Sequence, residues 1–213
     1  MRYTQLTNLI GQNYLSRLYN LTTGQTGFPW FFLSEDISYP VDAVDKAMGI
    51  RNEKRTVGFT HLLLDGDGVE SHFLPLFKPL LDNICDELGD IQFFRIRLAL
   101  QLNNGKDIPN LPHTDHEDDH YAALFYLHDC SGDTVFFNEY DDPNYGTVDD
   151  RWGLAKTQKY TECHRVTPEA NKLFVFDGHQ FHASSNPTRD PFRVILNLNF
   201  TANHDVLREK LGT

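Results

Sequence analysis

Residues 111–129, LPHTDHEDDHYAALFYLHD, join a short run rich in His, Asp and Glu to an apolar run. The apolar part, YAALFYL, predicts a buried β-strand. His113 and Asp115 are separated by one residue, so in an extended segment both side chains point to the same face and can reach one common point. Two interpretations follow: a solvated acidic loop before a buried strand, or a metal site at the mouth of that strand.

The sequence after residue 90 is a series of short β-rich runs separated by turn residues. The clearest are IQFFRIRLALQL (91–102), DTVFFNEY (133–140), NKLFVFDG (171–178) and FRVILNLNF (192–200). This profile is typical of a β-sandwich or a β-barrel. A polar connection over residues 138–167 interrupts it, and loops of that length in a compact domain are usually lids or binding loops.

The first ninety residues predict mainly helices around one strand. The predicted elements are a helix over residues 4–20, a short helix over 40–50, a strand over 56–64 ended by the DGDG turn at 65–68, and a helix over 71–88. Ser71 is the predicted N-cap of the last helix, and Gly89 is its predicted stop.

The composition predicts one soluble intracellular domain. A chain of 213 residues is long enough to bury a core without disulfides. Cys85, Cys130 and Cys163 form no CxxC pair, so we expect reduced thiols and a cytoplasmic location. No stretch is long and apolar enough for a membrane span. The net charge of −11 argues against nucleic acid as the main partner.

A second group of candidate ligands lies downstream in FVFDGHQFHASSNPTRDPFRVILNLNF (174–200), which contains His179 and His182 and then Arg193. Two His and one carboxylate from different strands form the facial triad of non-heme Fe(II), which leaves coordination positions open. This pattern favours the metal-site interpretation of His113 and Asp115.

The ordered set of motifs resembles the Fe(II)- and 2-oxoglutarate-dependent dioxygenases of the prolyl-4-hydroxylase-like branch, and is similar to its small bacterial and phage members. That family pairs HxD with a Tyr-Leu, a Gly-x-Thr-like turn, a Phe-Asp followed by His, and a later Arg or Lys. The matching residues are HTD at 113–115, YL at 126–127, GDT at 132–134, FDGHQFH at 176–182 and Arg193. The resemblance covers about residues 92–200.

The resemblance implies a role for each matching residue. It implies metal ligation by His113, Asp115 and His182, binding of 2-oxoglutarate by Arg193 and Tyr126, and a pocket lined by Thr134, Asn197 and Asn199. Asn197 and Asn199 share the inward face with Arg193 by strand alternation. His182 rather than His179 is the distal ligand because of its place after FDG. Either Arg97 or Gln101 contacts the cofactor. We expect the rim to be formed by His116, Glu117, Asp118, Asp119 and His120.

The resemblance also implies an α+β, mainly β fold: a double-stranded β-helix (jelly-roll, cupin-like) barrel with supporting N-terminal helices. We expect a single oxygenase domain over 1–213, with helical support at 1–90, the core at 91–203 and a tail or short helix at 204–213. The implied cofactors are Fe(II), 2-oxoglutarate and O2, with ascorbate as a supporting reductant. The implied reaction is hydroxylation of an unactivated C–H, with succinate and CO2 as co-products. A peptide or protein (prolyl or other side chain) or a small molecule is the implied substrate; the oligomeric state is open. The alternative is a non-catalytic or non-oxidative cupin-like barrel that binds a metal or small molecule.

Overall fold

The computed structural model describes residues 2–24, 27–33, 58–203 and Leu207, and within them the chain is mainly β. The elements with described bounds are, in chain order, β1 (Tyr3–Thr7), α1 (Gln12–Thr23), β2 (Phe31–Leu33), β3 (Gly58–Asp65), β4 (Val69–Glu70), α2 (Leu74–Leu88), β5 (Ile91–Leu102), β6 (Tyr121–Tyr126), β7 (Thr134–Tyr140), α3 (Val148–Thr157), β8 (Glu162–Val166), β9 (Lys172–Asp177), β10 (Gln180–Ser184) and β11 (Phe192–Ala202). None of the described helices is long and apolar enough to span a membrane.

The strands form two antiparallel sheets. The larger has the order β1-β9-β6-β11-β5-β3-β2, with β4 paired to β3, and the smaller has the order β10-β7-β8. Neither sheet closes on itself among the described strands. The mainly β, antiparallel architecture predicted from the sequence is therefore confirmed.

The central strands of the larger sheet, β5, β6, β9 and β11, divide their side chains between two apolar layers. Along β11, Val194 and Leu196 pack in a cluster that also contains Leu18 of α1 and Ile84 of α2. Ile195 faces the other way, in a cluster with residues of β7 and β8 in the smaller sheet. Burying each large aliphatic side chain stabilises the fold by roughly 1.5–3 kcal/mol. The side chains on the Ile195 face of β11 therefore point into the space between the two sheets.

The helix predicted over residues 4–20 is wrong in its first half. Residues Tyr3–Thr7 form β1, which pairs with β9 so that Leu6 lies opposite Leu173. Asn8 then takes a positive φ of 60°, and the helix begins only at Gln12 after the N-cap Gly11. Pairing with a distant strand has overridden a spacing of leucines that fits a helix equally well.

The other predicted N-terminal elements differ in outcome. The strand over 56–64 is confirmed as β3, and the short helix over 40–50 lies outside the described residues. The next helix begins at Leu74, with Phe73 as its N-cap, so the prediction of Ser71 as the cap is wrong. The hydroxyl of Ser71 instead accepts the Phe73 N–H (3.2 Å) and pairs with His61 (2.8 Å). Gly89 ends the helix as predicted, with a φ of 96°.

The predicted polar connection over 138–167 is not irregular throughout. It contains the end of β7, the helix α3 and all of β8. α3 begins with a capping box, in which Thr147 and Asp150 each bond the other's backbone N–H. The connection therefore carries an ordered helix, which packs beside the smaller sheet through Ala155.

Asn171 joins the N-terminal segment to the turn before β9. Its amide donates to the Ile10 carbonyl (2.6 Å) and its side-chain oxygen accepts the Ile10 N–H (3.1 Å), while its own φ is 63°. We expect Asn171→Ala to lower the free energy of unfolding by about 2–4 kcal/mol, because it removes two buried hydrogen bonds and places alanine in the left-handed region. Asn171→Gly should lose less, since glycine accepts that φ. Urea unfolding measures both; equal losses for the two variants would show that strain is not involved.

Candidate metal centre and adjoining cavities

A His-Asp-His group forms where the segment before β6 runs beside β10. The backbones of His113 and His182 exchange hydrogen bonds of 2.9 and 3.0 Å, as an isolated antiparallel bridge. One ligand atom from each of His113, Asp115 and His182 lies within 4.8 Å of the others. The residues predicted as metal ligands are thus brought together by strand pairing.

Backbone carbonyls hold both imidazoles in one orientation. The Nδ1 atoms of His113 and His182 lie 3.1 Å from the carbonyls of Leu111 and Gln180, respectively. A carbonyl can only accept, so each Nδ1 carries the proton and each Nε2 keeps its lone pair for a ligand. Burial lowers the pKa of His113 to about 3, so this imidazole is neutral at physiological pH.

Asp115 is held as a buried carboxylate. Its side chain is 2% exposed, and it accepts the amide groups of Asn197 (3.0 and 3.2 Å) and Asn199 (3.1 Å). Burial by itself raises the pKa of this carboxyl, but the neighbouring cationic and imidazole groups outweigh it and the net pKa is lowered. The groups responsible are His182, His113, Arg95 and Arg97. The site therefore offers one anionic oxygen ligand and two imidazole nitrogens.

Arg193 lies buried in the same inter-sheet space, at 2% exposure. Its Nη1 donates to the side-chain oxygen of Gln101 (2.9 Å) and its Nη2 to the hydroxyl of Thr134 (2.7 Å), which also contacts the Tyr126 hydroxyl (3.2 Å). Neither partner is an acid, and its Nε has no hydrogen-bond partner in the described part of the chain. Burial lowers the pKa of Arg193 and raises that of Tyr126. A buried cation without an acidic partner is costly unless a ligand supplies the anion.

A cavity connects Arg193 to the His-Asp-His group, with an empty volume of about 400 Å³ that includes its open part. Its lining residues are Arg97, Ala99, Gln101, His113, Leu124, Thr134, His182, Ser184, Arg193, Ile195 and Asn197. Of the predicted pocket residues, Thr134 and Asn197 line it, and Asn199 instead holds Asp115. Gln101 lines the cavity and accepts a hydrogen bond from Arg193, so it positions that guanidinium. The sequence alone could not distinguish this positioning role from a direct contact with the cofactor.

The structure places His179 and His120 outside the His-Asp-His group. His179 contacts the exposed Asp119 (2.9 Å) and lies 3.7 Å from Asp141. His120 was expected on the solvated rim, but it is buried at 3% exposure against Gly178, where an added Cβ would overlap its imidazole ring. The rim prediction is wrong for His120, because the Gly178 backbone leaves room for its ring.

A second, larger cavity includes Asp115 in its wall and has an empty volume of about 990 Å³ that includes its open part. Its lining residues are Arg95, Thr114, Asp115, His116, Glu117, Asp141, Arg151, Trp152, Ala155 and Phe181. α3 forms one wall, through Arg151, Trp152 and Ala155. The His-Asp-His group therefore borders both cavities: His113 and His182 line the first, and Asp115 lines the second.

Mild acid should destabilise the metal-free protein. Burial lowers the pKa of His113 from its ordinary value to about 3, and burial also lowers the pKa values of His120 and His128. The unfolded chain then binds protons that the folded chain does not, so stability is lost as pH falls below about 6.5. The lowered pKa of Asp115 acts only below about pH 4. We expect His113→Gln to reduce the slope between pH 6.5 and 4.5 by up to about 1.4 kcal/mol per pH unit. Urea unfolding at several pH values measures it, and an unchanged slope would contradict it.

No protein-family model and no curated protein matches this sequence. Solved structures do resemble the fold. A non-heme alpha ketoglutarate dependent epimerase from nogalamycin biosynthesis is 12% identical over 93% of this chain and 78% of its own, with a TM-score of 0.57. A 2OG-Fe(II) oxygenase family oxidoreductase from Burkholderia pseudomallei is 14% identical over 93% and 84%, with a TM-score of 0.56. A Trichoplax adhaerens prolyl hydroxylase, solved with a hypoxia inducible factor peptide fragment, is 12% identical over 96% and 85%, with a TM-score of 0.54. At these identities the likeness shows a shared fold, which hosts more than one reaction.

Proposed function

We propose that this protein is an Fe(II)- and 2-oxoglutarate-dependent oxygenase that hydroxylates an unactivated C–H bond. The observation that carries the proposal is one cavity with a His-Asp-His group at one end and the buried Arg193 guanidinium at the other. Among the described residues, that guanidinium bonds to the neutral side chains of Gln101 and Thr134 and to no acid. A metal-binding barrel without this co-substrate has no use for a buried cation in the same cavity as the metal ligands.

The donor set fits a non-heme iron centre. His113 and His182 each present an Nε2 lone pair, and Asp115 presents an ionised oxygen. Two His and one carboxylate on one face leave coordination positions for other ligands. The amides of Asn197 and Asn199 orient the carboxylate, as hydrogen-bond donors behind metal ligands commonly do.

The deep end of the cavity fits the distal carboxylate of 2-oxoglutarate. The Arg193 guanidinium can pair with a carboxylate through two parallel N–H groups. Gln101 and Thr134 fix its plane, and the hydroxyls of Tyr126 and Thr134 lie beside it. These residues would bind and orient the co-substrate, and the surrounding apolar cluster would exclude water.

When bound, Fe(II) and 2-oxoglutarate supply the oxidation, in which O2 gives one oxygen atom to succinate, with loss of CO2, and the other to the substrate C–H. The protein's part is to hold the ligands and the co-substrate in place. A substrate in the second cavity would lie against Asp115. A prolyl or other side chain of a peptide, or a small molecule, would be the substrate that occupies this position.

The double-stranded β-helix, the single domain, the branch of the family and the cytoplasmic location are part of the same proposal. The two facing sheets would be the two halves of a double-stranded β-helix, since side chains of both meet in one apolar cluster. A single domain over 1–213 is supported by one core shared by α1, α2 and the larger sheet. The HTD, YL, GDT and FDGHQFH motifs support the prolyl-4-hydroxylase-like branch. Three free cysteines fit a reducing, cytoplasmic compartment.

Anaerobic titration tests the proposal. Metal-free protein is titrated with Fe(II) and then 2-oxoglutarate, while the visible charge-transfer absorption of the chelate is followed. We expect the band in the wild-type protein and not with succinate in place of 2-oxoglutarate. Folded protein that binds iron but gives no band would favour the alternative, a cupin-like barrel that binds a metal or small molecule without oxidative chemistry.

We also propose that α3 is a lid over the second cavity. Arg151 on α3 is buried and pairs with Asp141 (2.9 Å), which ties the helix to the end of β7. Arg151→Ala should loosen the lid, so that O2-dependent succinate formation exceeds substrate hydroxylation by about 2- to 10-fold relative to wild type. Product ratios measure this coupling. Asp149→Ala, at an exposed position of the same helix, is the control; unchanged coupling in Arg151→Ala would contradict the proposal.

A further inference from the structure

The second cavity has its own combination of charged and apolar lining residues, and the inference drawn from it rests on the proposed function. We propose that the second cavity binds a small organic monocarboxylate with an apolar body, with its carboxylate on Arg95 and its apolar part against Trp152 and Phe181. The likeness to a prolyl hydroxylase would instead suggest a neutral prolyl side chain as the substrate.

Strand alternation places Arg95 at the wall of this cavity. Arg95, Arg97 and Gln101 share one face of β5, and Arg97 and Gln101 line the first cavity while Arg95 lines the second. The Nη1 of Arg95 donates to the backbone carbonyl of Asp115 (3.1 Å). The guanidinium is thereby fixed next to the metal-binding segment, with its remaining N–H groups available.

Arg95 is the cation at the second cavity that forms no ion pair in the described part of the chain. Arg151 is neutralised by Asp141 at 2.9 Å, and the side chains of this pair are only 8% and 11% exposed. Arg95 bonds to a neutral carbonyl and forms no ion pair with any carboxylate in the described ranges 2–24, 27–33 and 58–203. Asp115 would be neutralised by its metal. One unpaired guanidinium matches one carboxylate, in a bidentate fork.

The acids at the cavity disfavour a more highly charged ligand. Asp141 and Glu117 both line the cavity, and the side chain of Asp141 is largely buried. A phosphate monoester or a dicarboxylate would bring a second negative charge close to them, which like-charge repulsion opposes. The charge balance therefore favours a monoanion.

The wall has an apolar part in addition to the polar Thr114 and His116. Phe181 is 3% exposed on β10, and Trp152 and Ala155 face it from α3. Ligand sites usually combine such apolar walls with a few fixed polar groups. Because α3 covers one side, the cavity suits a discrete molecule better than an extended peptide.

A fluorescence titration tests the inference without iron. The chain has two tryptophans, so Trp30→Phe leaves Trp152 as the sole reporter in the cavity. The Trp30→Phe protein, loaded with Zn(II) so that a metal ion neutralises Asp115, is titrated with 3-phenylpropionate and with 3-phenylpropionamide, which differ only in the charged group. We expect quenching by the acid, with a Kd about tenfold or more below that of the amide, because only the acid forms a charge-assisted pair. Calorimetry on the protein that retains Trp30 checks that the substitution itself is harmless.

Variants of Arg95 then identify the group that binds the acid. Arg95→Gln should make the affinities for acid and amide equal, and Arg95→Lys should keep part of the difference. Arg189→Gln, at an exposed position far along the chain, should leave the difference intact. The proposal is overturned if the acid does not quench, if acid and amide bind equally to the parent protein, or if Arg95→Gln keeps the full difference. Tighter quenching by a neutral proline-containing peptide, unaffected by Arg95→Gln, would likewise overturn it.

The result is separable from that of the proposed function. Binding of the acid is measured without iron or 2-oxoglutarate, whereas the oxygenase proposal depends on the visible band of the iron chelate. A band without selective acid binding would retain the oxygenase and reject this substrate class. Selective acid binding without a band would retain the binding site and reject the oxygenase.

Discussion

His182→Ala is expected to weaken binding of Fe(II) or Mn(II) by more than about 100-fold. Loss of a group that merely orients a metal ligand commonly costs 10- to 100-fold, and loss of a ligand itself should cost more. The Nε2 of His182 lies 3.8 Å from an Asp115 oxygen, a separation that a shared metal ion can bridge. Competition with a chromophoric chelator under anaerobic conditions measures the change.

His179→Ala is the matched control, because the two histidines are three residues apart in the same segment. His179 pairs with the exposed Asp119 and is not part of the His-Asp-His group, so its loss removes no proposed metal ligand and should change metal affinity by less than about threefold. The backbone bridge between His182 and His113 needs no side chain and should survive in His182→Ala. Strong metal binding by His182→Ala together with weak binding by His179→Ala would assign the distal ligand to His179.

Sequence patterns could predict the β-rich half because strand alternation depends on local spacing. Alternation along β11 placed Arg193, Asn197 and Asn199 on one face, and the structure places them there. The pairing of His113 with His182 is not local, since 69 positions separate them and the bridge forms only in the fold. What linked them beforehand was the order of the motifs, carried by a family resemblance.

The predictions that were wrong or incomplete failed for physical reasons, and the sequence contains only part of the information needed to foresee them. β1 is held by pairing with β9, which lies far along the chain, so its leucines fit a helix as well as a strand. The helix α3 was detectable from its capping box, Thr147-x-x-Asp150, although its polar surface lacks an amphipathic pattern. The separate roles of Gln101 and Arg97 depend on which atoms each side chain reaches, and spacing carries no information about that.

Arg193→Met should raise the Kd for 2-oxoglutarate by about 100-fold or more. In the proposed binding mode, the substitution removes two charge-assisted hydrogen bonds to the distal carboxylate, each worth roughly 1.5–3 kcal/mol. Calorimetry with Mn(II)-loaded, anaerobic protein measures binding without turnover. Arg189→Met is the control, because it removes an exposed guanidinium four residues upstream.

A second ligand separates loss of this contact from general damage to the pocket. 2-Oxopentanoate has the metal-binding end of 2-oxoglutarate but lacks the distal carboxylate. Wild-type protein should prefer 2-oxoglutarate strongly, whereas Arg193→Met should bind the two ligands with similar affinity, because methionine offers the distal carboxylate no charge. If Arg193→Met keeps the wild-type preference, the distal carboxylate is bound elsewhere, and Arg97 in the same cavity is then the remaining guanidinium to test.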